Sequence, residues 1–249
     1  MDKLLYVAMS GAKETLATQE ANNYNLANAS TTGFKAALSA FQTRSVSGPG
    51  FASRAYATAG SVGWNHAVGE QQATGNPLDV AIQGDGFIAV QDPAGNEAYT
   101  RAGDFHVDAN GTLVTAGGRP VLSDSGPLSL PPATSVTIGS DGTVSVVPLG
   151  QTPNTVAAVG RIKLVNPPQD TLMRGTDGLY RTGDGSPAAG DANVRLASGV
   201  LESSNVNLPG CLVNMIELSR RFELQVRALH TAEEDGQSSA KLLQAGPNS

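Results

Sequence analysis

Cysteine occurs once in this chain of 249 residues, as Cys211. An intrachain disulfide and a cysteine-based zinc cluster are therefore both excluded. Aromatic residues make up only 5% and charged residues 15%, the latter below the usual globular share. No run approaches the roughly 18–20 uninterrupted apolar residues of a membrane-spanning helix. Positive charge is also scarce. The 16 Lys and Arg stand against 22 Asp and Glu, and a net charge of -6 argues against a duplex-DNA partner, which needs a basic face to release counterions. The first stretch, MDKLLYVAMSGAKETLATQE, lacks a basic segment followed by an apolar one because Gly11, Lys13 and Glu14 interrupt it, so no cleaved signal peptide is expected.

What is abundant is glycine, at 29 residues, with 14 prolines and 40% apolar residues. That mixture suits a turn-rich β body with a real core. Apolar runs separated by turn chemistry predict strands near 79–82, 86–92, 97–101, 104–108 and 112–115. Asn110-Gly111 and Asp141-Gly142 read as hairpin turns of the type that needs positive φ at both central positions. VGRIKLVNP reads as a further strand stopped by Pro167-Pro168.

The two ends are different material. Leu5, Met9, Ala12, Leu16, Gln19, Asn23 and Leu26 recur at alternating spacings of four and three, and so do Cys211, Met215, Leu218, Phe222, Gln225, Leu229 and Ala232. This is the seam pattern of a coiled coil. The expected fold class is accordingly α+β: long N- and C-terminal helices paired as a coiled coil, with a central, mainly antiparallel β domain. An antiparallel pairing would bring Asn23 opposite Gln225. Tyr6, Val7 and Tyr24 on the first helix, and Val213, Ile216 and Val226 on the second, widen the apolar surface beyond one seam. Those extra faces call for partners, because burial of the apolar stripe is what holds a surface helix.

The division expected is residues 1–35 as the N-terminal helix of an assembly core, 36–77 as an extended arm or linker, 78–203 as the β domain, and 204–249 as the C-terminal helix of the core with a polar tail. Asn22, Asn23, Asn25 and Asn28 cluster where the first helix ends. Asparagine both donates and accepts, and a polar seam residue sets register at a cost in stability. The residues assigned to the assembly interface are Leu5, Met9, Leu16, Asn23, Asn25, Leu26, Asn28, Met215, Leu218, Phe222, Gln225 and Leu229.

No catalytic, cofactor or metal residues are assigned. Asp79, Asp85, Asp104 and Asp108 invite a metal or carboxylate-pair reading, but Asp85 and Asp108 sit in Gly/Asn turns, where Asp favours bonds from its side chain to the backbone. QGDGF is too short for a dinucleotide fingerprint and DANG lacks the acidic spacing of a calcium loop. His66, His106 and His230 are scattered, and Cys211 lies on the helix seam, where a small apolar role fits.

NLANASTTGFK (25–35) closely resembles the signature of bacterial flagellar rod and hook proteins. The likeness continues through NPLDVAIQGDGFIAV (76–90), YTRAGDFHVDANGTLVTAGGRPVL (99–122) and SGVLESSNVNLPGCLVNMIELSRRFELQ (198–225). Within that family VGRIKLVNP, DGLYR and the short chain are similar to the proximal-rod type, with the distal-rod type as the alternative. A secreted β-rich binding module or adhesin is the reading from another class. The resemblance implies a structural subunit, not an enzyme, exported without a cleaved signal through the flagellar type III apparatus and polymerised into the rod that spans the periplasm. Its partners would be other copies of itself, neighbouring rod proteins and the export apparatus, with no nucleic acid and no small-molecule substrate.

Overall fold

A computed structural model describes residues 2–45, 55–152 and 155–244. The chain divides into two compact units: one drawn from the described parts of 1–29, 36–65 and 206–249, the other from 30–35 and 66–205.

The first unit holds α1 (Asp2–Ala27), β1 (Ala37–Ser45), β2 (Ala55–Trp64) and α2 (Leu208–Gln244). β1 and β2 pair antiparallel from Ala37↔Trp64 to Ser45↔Ala55, within the segment for which the sequence left linker and extended arm open. α2 starts where its chemistry says it should. The Asn207 side chain accepts the Gly210 N–H at 3.0 Å, and Pro209 sits in the first turn, where its missing N–H costs nothing.

The expectation of long N- and C-terminal helices paired as a coiled coil is overturned. The N-terminal helix is the short one, 26 residues against 37 for α2. The apolar seam assigned to α1 does not form: Met9 and Leu16 are 54% and 51% exposed. Of the assigned positions Ala12 is buried, and the other buried positions are Thr15, Asn22 and Asn25, so the covered stripe is made of small and polar side chains. Thr15 Oγ1 has Gln225 Oε1 within 3.0 Å, and Asn22 Nδ2 donates to the Cys211 carbonyl at 2.8 Å. Gln225 thus meets Thr15 and not Asn23, which is exposed. The physical reason is size. A Gly/Ala/Thr stripe lets a helix come close enough for polar contacts to backbone and amide, and that closeness wins over a seam of large knobs.

In the second unit β3 (Gln71–Ala73) and β4 (Val80–Gln83) come first, followed by the hairpin of β5 (Phe87–Gln91) and β6 (Glu97–Thr100). β7 (Phe105–Val107) pairs with β8 (Leu113–Thr115), and β9 (Leu122–Ser123) with β10 (Gly126–Pro127). β11 (Ala133–Ile138), β12 (Thr143–Pro148) and β13 (Ala157–Arg161) make an antiparallel sheet. β14 (Leu164–Val165), β15 (Leu172–Arg174) and β16 (Tyr180–Thr182) complete a five-stranded sheet of order β14-β5-β6-β16-β15. Finally β17 (Arg195–Ser198) returns to β4 and β18 (Val200–Glu202) to β3.

The pattern of each strand follows its position. β12 alternates, with Val144 and Val146 buried and Thr143 and Ser145 only half-buried, as a sheet with one covered face requires. β5 lies inside the five-stranded sheet and reads as a continuous buried run, Phe87 to Val90. Val80, Ile82, Ile88, Val90, Phe105, Leu113, Val121, Ile162, Leu164 and Leu196 form one core. Each such side chain contributes about 1.5–3 kcal/mol by leaving water.

The two hairpin turns differ from expectation in one respect. No described non-glycine residue has positive φ, so neither turn has the doubly left-handed form. Asp108 Oδ1 accepts the N–H groups of Asn110 and Thr112 at 2.9 and 2.8 Å, and only Gly111, at φ 82°, turns left-handed. In the second turn Asp141 Oδ1 accepts the Thr143 N–H at 3.0 Å, and Gly142, at φ 86°, turns left-handed. The Asp side chain does the capping, so one left-handed residue suffices.

Candidate assembly surface

Both terminal helices cover one face and leave large apolar side chains exposed on another. On α2 the covered face carries Cys211, Leu218 and Ala232, with Met215, Phe222, Gln225 and Leu229 half-buried along the same stripe. About half a turn round, Leu212, Val213, Ile216 and Leu224 are 42%, 56%, 53% and 62% exposed. On α1 the covered stripe is Ala12, Thr15, Asn22 and Asn25, and the opposite face presents Tyr6, Met9, Leu16 and Tyr24 to solvent. Helical spacing of three and four keeps each set on one side.

The asparagine cluster divides its labour. Asn25 is buried and grips Ala37 twice, its Oδ1 taking the Ala37 N–H at 2.7 Å and its Nδ2 donating to the Ala37 carbonyl at 2.9 Å. Asn22 holds the Cys211 carbonyl, and Asn28 Nδ2 bonds the Tyr24 carbonyl at 2.9 Å, closing the last turn of α1. Only Asn23 of the cluster faces water. Of the residues assigned to the interface, Met9, Leu16 and Asn23 are exposed, Leu26, Asn28, Met215, Phe222, Gln225 and Leu229 half-buried, and Asn25 and Leu218 buried. The side chain of Leu5 lies outside the described set.

In the second unit the segments flanking the helices meet at buried charges. Glu202, 1% exposed, accepts from Lys35 Nζ at 2.6 Å, from the Gly69 N–H at 2.9 Å and from Arg101 Nε at 2.8 Å. Arg101 also donates to the carbonyls of Gly86 and Gly84 at 2.9 and 3.0 Å. Burial pushes the Glu202 carboxyl up, but the Arg101 charge and the hydrogen bonds from Lys35, Arg101 and Gly69 outweigh it and hold the group below its usual range. Burial pulls the Lys35 ammonium below its ordinary value against the opposing effect of the hydrogen bond it donates to Glu202, and the neighbouring Arg101 adds to the fall. Gly33, at φ +67°, lies so close to Arg101 that a Cβ would stand 2.3 Å from its carbonyl carbon. Arg174 donates to the Lys35 carbonyl at 2.7 Å with its guanidinium 4.3 Å over the Phe34 ring.

Sequence reasoning missed this node. The available signal was a single charge set among small and apolar neighbours in a chain poor in charge: Lys35 in GFKAAL and Glu202 in VLESS. Of the carboxylates considered for chemistry, Asp108 caps a turn and Asp79 Oδ1 accepts from Asn76 Nδ2 at 2.9 Å, whereas Asp104 Oδ1 is buried with no hydrogen-bond partner. Among the described residues, no helix is long and apolar enough to cross a membrane.

Residues 81–146 match the family model described as "Flagellar hook protein FlgE/F/G D1 domain", and residues 197–242 match "Flagellar basal body rod FlgEFG protein C-terminal". These descriptions define the class, the structural subunits of the flagellar rod and hook. Whole-chain relatives narrow it. The flagellar basal-body rod protein FlgF of Escherichia coli (strain K12) is 40% identical over 249 residues, covering 98% of this chain and 99% of that one. FlgF of Salmonella typhimurium (strain LT2) is 41% identical over the same length, with 98% and 99% covered. FlgG of Bacillus subtilis (strain 168) is 32% identical over 257 residues, covering 94% of this chain and 96% of the relative. The chain belongs to the flagellar basal-body rod protein family and is a FlgF-like structural subunit of the rod. The distal-rod alternative is not favoured.

Proposed function

We propose that this subunit joins the proximal rod through the uncovered faces of its terminal helices. Other copies of itself and neighbouring rod proteins cover Met9 and Leu16 on α1 and Val213, Ile216 and Leu224 on α2. Asn23 and Leu26 flank the α1 patch, and Leu5 belongs to the same proposed interface. Asn25, Asn28, Met215, Leu218, Phe222, Gln225 and Leu229 hold the helices in the form the partners meet. The carrying observation is that each helix keeps large apolar side chains in water after its other face is covered. Contiguous exposed apolar patches of this kind mark association surfaces. Head-to-tail contacts that do not close on themselves build a filament, and many staggered contacts resist torque with no catalytic step. The four-part division, helix, arm, β domain and helix with polar tail, serves this role, and delivery runs through the flagellar type III export apparatus.

The test is Val213→Asp and Ile216→Asp, made singly in a flagellated host lacking its own copy. Both positions are exposed, so the purified variants should melt as the parent does, while swimming in soft agar is lost and isolated basal bodies lack a complete rod. Normal swimming by both variants would remove the reading.

A further inference from the structure

Lys35 and Arg101 are buried cations, 2% and 4% exposed, and Glu202 is the anion that meets both. Asp85 adds a weaker negative field at Lys35. Two buried positive charges against one buried negative charge is a balance that fails if the carboxylate is lost, because an uncompensated buried charge is costly. The same node carries the backbone of three segments. The Gly33 N–H donates to the Glu202 carbonyl at 2.7 Å, the Ser203 N–H to Glu70 at 2.8 Å and the Asn205 N–H to Phe34 at 3.2 Å. Lys35 Nζ and Asn205 Nδ2 both donate to the Ala67 carbonyl at 2.7 Å. Residues 31–35, 66–70 and 202–205 are thus bonded to one another. Beyond the β18–β3 ladder, their ties to the five-stranded sheet and its loops include the Arg101–Glu202 pair, the Arg174–Lys35 bond and the Arg174 guanidinium over the buried Phe34 ring. None of these ties lies in the core of Ile88, Val90 and Leu164.

We propose that these three segments form one latch, keyed by Glu202, that opens and closes as a unit while the five-stranded sheet stays folded. Residues 31–35 follow α1 and residues 202–205 precede α2 along the chain, so the latch lies where the chain enters and leaves the second unit. Cooperative openings smaller than global unfolding are common in native proteins, and segments held by few apolar contacts and many polar ones are where they occur. This goes beyond membership of the rod and does not depend on which subunits lie alongside.

Amide hydrogen exchange on the full-length chain tests it. The Gly33, Gly69, Ser203 and Asn205 amides report on the latch, and those of Ala89 and Gln91, bonded to Lys163 and Pro120, report on the sheet. In the parent chain the latch amides should share one opening equilibrium, distinct from that of the sheet. Glu202→Gln should speed all latch amides together by about ten-fold or more, with the sheet amides unmoved. Lys35→Met leaves one cation facing one anion and should open the latch far less. Added to Glu202→Gln it should recover part of the protection, because one unpaired cation replaces two. Unrelated latch rates in the parent would overturn the proposal. So would equal acceleration of Ala89 and Gln91, or a Lys35→Met variant as open as Glu202→Gln. Should Glu202→Gln fail to fold, the parent rates and Lys35→Met alone decide the matter.

Discussion

Thr15 Oγ1 lies 3.0 Å from the side-chain oxygen of Gln225, and a Cβ built on Gly11, one turn earlier, would fall 3.2 Å from the nitrogen of the same amide. The approach of α1 to α2 is therefore set by small residues and a single glutamine.

Gly11 should tolerate one carbon and no more. Gly11→Ala meets only the mobile end of Gln225, which can give way, and gains about 1 kcal/mol of helix propensity. Gly11→Leu must displace the amide or the helix and should cost about 1–3 kcal/mol. Urea unfolding followed by helical circular dichroism should rank the variants Ala, parent, Leu. A leucine variant as stable as the parent would mean the helices do not approach this closely.

Leu16→Asp and Leu218→Asp should fail in different ways. Leu16 is 51% exposed, so its aspartate variant should unfold within about 0.5 kcal/mol of the parent and still fail to swim. Leu218 is 5% exposed, and a charge there should cost about 3–5 kcal/mol in the isolated chain before any assembly is asked of it. Denaturant midpoints on purified protein, read beside soft-agar motility, separate the two. Equal midpoints would show that Leu218 is not buried in the single copy.

Gly33→Ala should be among the most damaging single-carbon changes in the chain. It combines a left-handed backbone with a Cβ 2.3 Å from the Arg101 carbonyl carbon, together about 3 kcal/mol or more. Gly75→Ala, also at positive φ but with nothing within 4 Å, isolates the backbone part and should cost only about 1–2 kcal/mol. Differential scanning calorimetry of the two variants should show Gly33→Ala melting well below Gly75→Ala.

Two carboxyls should give opposite pH signatures. Glu202 is held below its ordinary value of 4.5, so the folded state favours its charged form. Its contribution is complete above pH 4.5 and drains away as pH falls through the lower folded value. Glu202→Gln should therefore flatten the acid limb of stability against pH. Asp104 is displaced the other way, raised from 3.8 by burial and by the nearby Asp79 charge, with Oδ1 buried and no hydrogen-bond partner. The fold favours its neutral form, so its contribution is present below 3.8 and lost as pH rises through the folded value. Asp104→Asn should raise the melting temperature at neutral pH and leave it nearly unchanged in acid. A lower neutral melting temperature would mean that the Asp104 charge is compensated in the fold.

The β body was legible because alternation and turn residues are local. The runs around Val80, Phe87, Glu97, Phe105 and Leu113 became strands within a residue or two of where the pattern put them. On α2 the buried positions include Cys211, Leu218 and Ala232. The covered stripe on α1 was not legible, because the reading followed the large residues Met9 and Leu16, whereas contact formed on Ala12, Thr15 and Asn22. Hydrophobic periodicity weights size, and a close helix contact prefers its absence. The charge node lay beyond reach for another reason. Lys35 and Glu202 are 167 positions apart, and nothing in either neighbourhood names the other.

Asn25 stands toward Ala37 as a neighbouring strand would, its amide imitating a peptide group at the edge of β1. Hydrolysis of that one amide to a carboxylate, a slow reaction asparagine undergoes unaided, swaps the donor for an oxygen that repels the Ala37 carbonyl. A subunit could then lose its grip between helix and arm by ageing alone, with every peptide bond intact.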